Sequence, residues 1–365
     1  MQLDHRGARP RRRLVLVAMA AGALAAATLA GCGEADPDAA DGGPADPVAT
    51  SGESDEPLVI YSGRSEELVG GLLDRLEEVT GVPVEVRFAS TAELAAQLLE
   101  EGDATPADLF FSQDGGALGA LGSAGLLAEL PGEVLDRVPV EYQSADGTWV
   151  ATSARARVIA YDPAQVDEAE LPTTFQDLVD PVWTGQVGYA PTNASWHAYV
   201  TALRVIEGED GARDWLTAFA ANDPVAFESN DLVLAAVNDG QIALGLINHY
   251  YLYALTADVG EDAVTAKLHY ITGEDPAGLV NVAGIGLLAG SDATESALAA
   301  AEFLLSDEAQ QYFADETAEY PVVDGITSTV HDLPPLDSLQ GPDIDLSDLA
   351  SLEETLTLLQ EVGLS

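Results

Sequence analysis

Apolar residues recur along the chain in two alternating spacings from residue 58 onward. Residues 58–61 and 108–111 are short apolar runs with the length of buried β-strands. Over residues 66–80 and 91–101 the apolar positions return every three or four residues, which predicts amphipathic helices. Because strands alternate with helices, the pattern predicts an α/β fold with a mainly parallel sheet, and with ligands bound at loops beyond the strand ends.

A second run of strands and helices follows after residue 150. We predict strands at 153–161, 187–189, 242–247 and 279–288, and helices at 195–207, 231–239 and 292–306. The strand at 153–161 is expected to cross between two lobes.

The last 40 residues have a different composition. After Val323 the chain becomes acidic and rich in proline, and it ends in a segment, 346–362, whose leucines recur at helical spacing. We expect this helix to pack on a lobe, since apolar stripes usually join a core; binding of a partner is the alternative.

The N-terminus has the composition of an export signal. Five arginines precede a run of small and apolar residues that ends at Gly31 and Cys32. Residues 1–31 are therefore expected to be a lipoprotein signal peptide, with lipidation at Cys32; an uncleaved anchor helix is the alternative. Residues 32–57 are polar and acidic, and we interpret them as a flexible tether.

The charge balance excludes some partners. Removing residues 1–31 takes five arginines and Asp4 from the 14 basic and 62 acidic residues, which leaves nine basic residues against 61 acidic ones. A chain this acidic repels nucleic acid and anionic lipid headgroups. Cys32 is the single cysteine, so neither disulfides nor thiolate metal sites are expected.

The sequence contains no motif of a common catalytic site. Gly-x-Ser-x-Gly, a phosphate-binding Gly-x4-Gly-Lys loop and His-Glu-x-x-His are all absent, and the histidines are scattered. We therefore predict that the protein is not an enzyme. A metal-dependent hydrolase using His249 is kept as a less favoured alternative.

A pair of tyrosines is the candidate for metal chemistry. Tyr250 and Tyr251 directly follow a predicted buried strand, where a loop would face the cleft between lobes. Half-buried tyrosines can be simple hydrophobic wedges. Phenolate is, however, a hard anionic oxygen donor that a trivalent ion can deprotonate.

The chain resembles the ferric-ion-binding proteins of ABC importers, which have the two-lobed type II periplasmic-binding-protein fold. The resemblance spans roughly residues 58–325 and depends on the order and spacing of several short motifs. These motifs are Leu-Val-Ile-Tyr-Ser-Gly-Arg from 58, Ser-Thr-Ala-Glu-Leu from 90, Pro-Ala-Asp-Leu-Phe-Phe-Ser-Gln-Asp from 106, Arg-Ala-Arg-Val from 155, Pro-Thr-Asn-Ala-Ser from 191, Asn-His-Tyr-Tyr from 248 and Glu-Tyr-Pro from 319.

The resemblance implies a site with two parts, a metal and an anion. It implies that Tyr250 and Tyr251 ligate ferric iron. The residues that it assigns to a synergistic anion such as carbonate are Arg155, Asn193, Ala194, Ser195, Asn230 and Asn248. Either Arg155 or Arg157 could face the cleft, and N-capping of the following helix is the plain alternative for Asn193 and Ser195.

The sequence also departs from the family at three places, one of which is a third tyrosine that some members have near residues 193–196 and that is absent here. Ser65 stands where some members have a ligating histidine, and Gln113 stands where some have a ligating carboxylate. Arg64, Ser65 and Gln113 are expected as additional cleft residues. Exogenous anions or water would then have to complete the coordination of the ion.

These observations predict an extracellular lipoprotein that binds ferric iron for an ABC permease. Lobe 1 is expected at 58–155 and 278–325, lobe 2 at 156–277, and an acidic tail at 326–365. We expect a monomer, held on the outer face of the cell membrane by its lipid alone. A binding protein for a small organic or phosphorylated anion is the main alternative.

Overall fold

The computed structural model describes residues 56–339 and 341–365. The predicted signal peptide, Cys32 and nearly all of the predicted tether lie outside these residues. The strands are β1 (Leu58–Ser62), β2 (Val84–Phe88), β3 (Leu109–Ser112), β4 (Val150–Tyr161), β5 (Val187–Tyr189), β6 (Val225–Ala226), β7 (Leu244–Asn248), β8 (Lys267–His269), β9 (Val280–Leu287) and β10 (Tyr320–Pro321).

The long strand β4 is shared by two halves of the structure. Along its first half β4 pairs with β9 and β10, and along its second half with β7 and β8. We call the part built on β1, β2, β3, β9, β10 and the start of β4 lobe 1, and the part built on β5 to β8 and the end of β4 lobe 2. This two-lobed α/β architecture agrees with the fold class predicted from sequence.

The sheet is mixed, which corrects the prediction of a mainly parallel sheet. Strands β1, β2 and β3 are parallel to one another in lobe 1, as are β5, β6 and β7 in lobe 2. The pairs β3–β9, β9–β4 and β4–β7 are antiparallel. The prediction missed these pairs because strands that pass between lobes enter each sheet against the direction of its βα units.

The helices follow the apolar spacing closely at most positions. They are α1 (Glu66–Leu73), α2 (Leu76–Thr80), α3 (Thr91–Glu101), α4 (Gly115–Ser123), α5 (Gly132–Leu135), α6 (Ala194–Ala221), α7 (Asn230–Asn238), α8 (Tyr250–Val259), α9 (Thr294–Leu304), α10 (Asp307–Glu316) and α11 (Leu352–Val362). The helix predicted at 66–80 is divided into α1 and α2 by a tight turn, in which Arg75 N–H donates to Leu72 O. Within the described residues, no helix is both long and apolar enough to cross a membrane.

The described residues contain two hydrophobic clusters. One surrounds the lobe 1 sheet and includes all of the aromatic and leucine side chains of β3, which are fully buried. The other lies in lobe 2 and is rich in aromatic rings; Trp215 and Phe219 stack with centroids 5.1 Å apart. Each lobe therefore has a core that holds its edge of the sheet in place.

The C-terminal segment contacts both lobes. A Cβ added to Gly116 of α4 would lie 2.4 Å from Leu349 O, so a glycine is required where residues 346–350 cross lobe 1. On lobe 2, Arg204 of α6 donates to Ser351 O at 2.9 Å and to Thr355 Oγ1 at 2.8 Å. We call residues 346–362 the tail strap. The helix predicted over the whole of this range is confined to its second part, α11.

Candidate functional site

Three helices begin at one edge of the lobe 2 sheet. Because β5, β6 and β7 are parallel, their carboxyl ends lie together, and α6, α7 and α8 each start a few residues later. The first turns of these helices carry unpaired backbone N–H groups and the positive ends of the helix dipoles. This edge of lobe 2 therefore favours negative charge.

Lobe 1 faces this edge with the end of β3. The strand ends at Ser112, and Gln113 and Asp114 follow before α4 begins. Asp114 caps α4, since its Oδ1 accepts from Ala117 N–H at 2.9 Å. The polar residues at the end of β3 are thus held in place by the helix that follows them.

A cavity of about 160 Å³ lies between the two lobes. Its lining consists of Gln113, Asp114, Arg155, Arg157, Asn193, Ala194, Ser195, Ala198, Asn248, Tyr250, Tyr251, Leu279 and Asn281. Most of the site residues that the sequence suggested are therefore brought together in one place, although they are spread over more than 130 positions of the chain.

Four of the residues suggested for an anion form a hydrogen-bonded network with Arg157 on lobe 2. We call this set, Asn193, Ser195, Asn230, Asn248 and Arg157, the anion network. The hydroxyl of Ser195 donates to Asn193 Oδ1 at 2.7 Å and accepts from Arg157 Nη1 at 2.8 Å and from Asn230 Nδ2 at 3.1 Å. Asn230 does not line the cavity but supports Ser195 from behind. Asn193 also caps α6, because its Oδ1 accepts from Ser195 N–H at 2.9 Å. Capping and membership of the network are thus compatible.

The two arginines of β4 have different environments. Arg157 donates to Ser195 and, at 3.4 Å, to Asn248 Oδ1, and no carboxylate in the described residues pairs with it. Arg155 instead lies 3.7 Å from Glu319 Oε1 and donates to the main-chain oxygens of Gln113 and Val282. Burial lowers the pKa of Arg157 to about 10, so it stays charged at neutral pH. Arg157 is therefore the cation that belongs to the anion network.

Arg64 and Ser65 lie outside the cavity lining, unlike Gln113. The guanidinium of Arg64 is fully buried and donates to Glu319 Oε2 at 2.8 Å and to Ser153 Oγ at 3.1 Å. Burial alone would raise the pKa of Glu319, but Arg64 and Arg155 hold it below the usual value. Arg64, which the sequence suggested as a cleft residue, therefore forms a buried ion pair inside lobe 1 instead. Ser65 is exposed at the start of α1.

The sequence had suggested that the tyrosine pair lies in a loop. Tyr250 and Tyr251 are instead the first residues of helix α8. The rings of Tyr250 and Tyr251 are half-buried, with centroids 4.5 Å apart. Burial raises the pKa of the Tyr250 phenol above its usual value of 10, and the neighbouring Tyr251 adds to this effect, whereas Arg155 opposes it. In the absence of a cation, Tyr250 is thus a neutral phenol.

Lobe 1 adds polar oxygens that the sequence interpretation missed or left open. Gln113 Oε1 is buried and has no hydrogen-bond partner among the described residues. Asp114 and Asn281 were not suggested from the sequence. In the sequence, Asp114 has the position of an ordinary helix cap, so nothing marks it as a site residue. Asn281 lies on β9, which follows β3 by more than 160 residues. Burial raises the pKa of Asp114 above its usual value, and the hydrogen bond from Ala117 N–H and the charge of Arg155 offset this only in part.

His249 points away from the cavity. Its ring is fully buried, with Nε2 2.7 Å from Ala318 O and Nδ1 accepting from Ala156 N–H at 3.3 Å. Burial lowers its pKa to about 4. Within the described residues, His, Cys, Asp and Glu form no group of three that could hold a metal, so the hydrolase alternative gains no support.

Comparison with known proteins agrees with this geometry. Residues 104–345 match the family described as bacterial extracellular solute-binding protein. The chain is 34% identical over 312 residues to an Fe(3+)-binding periplasmic protein of Serratia marcescens, covering 85% of this chain and 91% of that protein.

Solved structures give the same result. Iron-bound HitA from Pseudomonas aeruginosa is 34% identical, with a TM-score of 0.77, over 84% of this chain and 99% of that one. A Trichodesmium protein solved with iron and citrate is 26% identical, with a TM-score of 0.72, over 85% and 100% of the two chains. The resemblance seen in the sequence is thereby confirmed. The chain belongs to the bacterial extracellular solute-binding proteins, in the group of ferric-ion-binding proteins of ABC importers, and is a binding protein rather than an enzyme.

Proposed function

We propose that this protein captures ferric iron together with a small anion outside the cytoplasm and delivers it to an ABC permease. The observation that carries the proposal is the juxtaposition of Tyr250 and Tyr251 with the anion network of Arg157, Ser195 and Asn248 in one cavity. Phenolate oxygens are hard donors suited to a trivalent ion. The Serratia relative is named for binding Fe(3+), and HitA was solved with iron bound.

The charges around the cavity support a role for the anion. Arg64 and Arg155 share Glu319, which leaves one positive charge; Arg157 adds a second, and an ionised Asp114 cancels one of them. Ferric iron with two phenolates adds one further positive charge. A dianion such as carbonate would bring the loaded site to neutrality, and a buried site favours neutrality strongly.

The anion would occupy the network on lobe 2. There it can accept from Arg157, from Asn248 and from the N–H groups at the start of α6, where Ala194 and Ser195 line the cavity. It would also fill metal coordination positions that two phenolates leave open. The Trichodesmium structure was solved in complex with iron and citrate ligands, which supports the proposal of an anion beside the iron.

The visible spectrum tests the proposal directly. Protein purified without chelator, then given ferric ion and bicarbonate, should bind about one iron per chain and become coloured, because tyrosinate bound to ferric ion absorbs visible light. Tyr250→Phe and Tyr251→Phe should each weaken or shift the band. Tyr253→Phe is the matched control, since Tyr253 lies on the same helix but its hydroxyl donates to Asp332 O outside the cavity.

A phosphorylated or carboxylated small molecule is the second candidate ligand. Arg157 has no carboxylate partner among the described residues and lies beside the start of α6, which is an arrangement that binds organic anions without any metal. A protein that stays colourless with iron and bicarbonate, but is stabilised against heat by such an anion, would favour this function.

The anchoring of the protein is a separate part of the proposal. We propose that lipid attached at Cys32 holds the protein, as a monomer, on the outer face of the membrane. Replacing Cys32 with Ser should release the protein from membranes and leave ligand binding unchanged. A Cys32→Ser protein that has lost its leader and still sediments with membranes would contradict this part alone.

A further inference from the structure

His249 is part of the Asn-His-Tyr-Tyr motif, yet it does not contact the cavity. It lies between the last residue of β7 and the first residue of α8, and its neighbours Asn248, Tyr250 and Tyr251 all line the cavity. Its own side chain is 0% exposed and is turned toward the opposite side. The contacts that line the cavity therefore give this histidine no role.

The main chain and ring of His249 are bonded to the crossing strand. His249 N–H donates to Ala156 O at 3.1 Å, and Ala156 N–H donates to Nδ1 at 3.3 Å. An Nδ1 that accepts requires the proton of the neutral ring to be on Nε2. Nε2 therefore donates its hydrogen bond to Ala318 O, at 2.7 Å. Both ring nitrogens therefore have a hydrogen-bond partner, with Nδ1 as an acceptor only and Nε2 as a donor only.

The contact at Ala318 connects α8 to lobe 1. Ala318 has a φ of 52°, an uncommon left-handed conformation for a residue with a Cβ, and its neighbour Glu319 is held by Arg64 and Ser153. Tyr320, which pairs with Ala154 of β4, stacks on the His249 ring with centroids 4.5 Å apart. The segment that receives the histidine is thus itself fixed by a buried ion pair and a strand pairing.

The same ring also supports one of the tyrosines from behind. The Tyr250 ring packs edge-on against His249, with centroids 5.8 Å apart and an interplanar angle of 77°. His249 therefore lies between Tyr320 of lobe 1 and Tyr250 of lobe 2. A shift of this ring would turn the first residue of α8, and with it the phenol oxygens.

We propose that His249 is a positioning residue: it fixes the direction of the Tyr250 and Tyr251 hydroxyls by linking the first turn of α8, through Ala318 O, to lobe 1. This inference rests on the proposed function, because the positioned groups are the proposed iron donors. A ligand pair held rigidly before binding loses less free energy on ordering than a mobile pair. The Ala318 bond also makes the direction of the donors depend on the relative position of the lobes.

Two substitutions separate the two ring nitrogens. In His249→Asn the amide can place its oxygen near the position of Nδ1, but it is too short to reach Ala318 O. In His249→Gln the longer amide can place its nitrogen near Nε2 and donate to Ala318 O. We expect the Asn variant to bind ferric ion roughly tenfold more weakly and to have a shifted visible band, and the Gln variant to stay within about threefold of the parent with the parent's band.

A matched control and a metal-free measurement complete the experiment. His269 of β8 makes the same kind of ring contact, from Nε2 to Pro172 O at 2.8 Å, away from the cavity. His269→Asn should leave the band and the iron affinity unchanged. In metal-free protein, the amides of residues 249 and 252, which donate to Ala156 O and to the carbonyl of residue 249, should exchange hydrogen faster in His249→Asn than in the parent or in His249→Gln.

The outcomes are distinct. The proposal is overturned if both His249 variants keep the parent's affinity, band and exchange rates, even with a lowered melting temperature, because the histidine is then only a core residue. It is also overturned if Asn and Gln perturb the site equally, since the Ala318 bond is then irrelevant. A colourless parent would contradict the proposed function instead, and the exchange rates of the metal-free proteins would still decide the positioning role. If the Asn variant does not fold, a Gln variant with a shifted band contradicts the proposal.

Discussion

The two walls of the cavity are built differently. The lobe 2 wall consists of helix starts, a charged arginine bonded only to neutral polar groups, and two phenols that can become anionic. The lobe 1 wall carries an amide oxygen that has no partner among the described residues, a carboxylate used as a helix cap, and an arginine already paired with Glu319. We therefore expect lobe 2 to attract and ligate the metal and its anion, and lobe 1 to enclose them.

The largest effect on iron binding is expected when both proposed iron ligands are removed from lobe 2. Tyr250→Phe combined with Tyr251→Phe should lower ferric affinity by more than about 100-fold, because loss of direct ligands exceeds the 10- to 100-fold effects of groups that only support them. Equilibrium competition with a chelator measures this affinity, with Tyr253→Phe as the control. A double variant that retains iron as the parent does would place the ligating groups on lobe 1.

The pH dependence of iron binding tests the same donors. The raised pKa of Tyr250 means that binding must displace a phenol proton, and each phenolate formed releases one proton. Protons therefore compete with iron: affinity should rise with pH, by up to about 100-fold per unit if two phenols ionise. Competition titrations between pH 6 and 8 in parent and Tyr253→Phe give the slope; a flat profile would contradict phenolate ligation.

Substitutions of the two arginines of β4 should have different effects, on iron binding for Arg157 and on thermal stability for Arg155. Loss of a charge-assisted contact in a closed site costs about 1.5 to 3 kcal/mol, so Arg157→Ala should weaken iron binding roughly 10- to 100-fold and reduce its dependence on bicarbonate. Arg155→Ala should mainly lower thermal stability, because Glu319 would lose one of its two buried partners. If Arg155→Ala weakens binding and Arg157→Ala does not, the anion lies on the lobe 1 side.

Lobe 1 can be converted into a ligating wall. Gln113→Glu puts a carboxylate in place of an amide whose buried oxygen has no partner in the described part of the chain, and ferric ion prefers the anionic donor. Iron affinity should rise about tenfold, the effect of about 1.4 kcal/mol, and less bicarbonate should be needed. Titration of iron binding against bicarbonate measures both. Unchanged bicarbonate dependence would show that this oxygen is too far from the ion.

The smallest effect is expected at the helix cap. Asp114→Asn removes a charge from the cavity lining but retains a good cap for α4, so thermal stability should change by no more than about 0.5 kcal/mol. Iron binding should weaken by less than about tenfold if Asp114 is only a cap, because a charge that helps to neutralise the loaded site is lost but no ligand is. A loss of affinity as large as that of Arg157→Ala would make Asp114 a ligand and lobe 1 a ligating wall already.

The sequence was informative about the site wherever the relevant residues follow parallel strands. The family resemblance suggested Asn193, Ser195 and Asn248, and these residues lie together because the parallel strands β5 and β7 end at the same edge. Arg64 was misplaced because its partner Glu319 is 255 residues away in sequence, and no local pattern announces a buried ion pair over that distance. Asn281 was also missed because its contacts are distant in sequence: it lies on β9, which pairs antiparallel with β3 and β4.

The tail strap has a kinetic consequence. Arg204 and Thr201 fix α11 on lobe 2, so residues 346–350 stay tethered within a short distance of α4 even when they are detached from it. A segment tethered in this way keeps a local concentration of the order of millimolar beside its binding surface. The contact with lobe 1, in which Leu346 and Leu349 are buried, should therefore re-form quickly after any release.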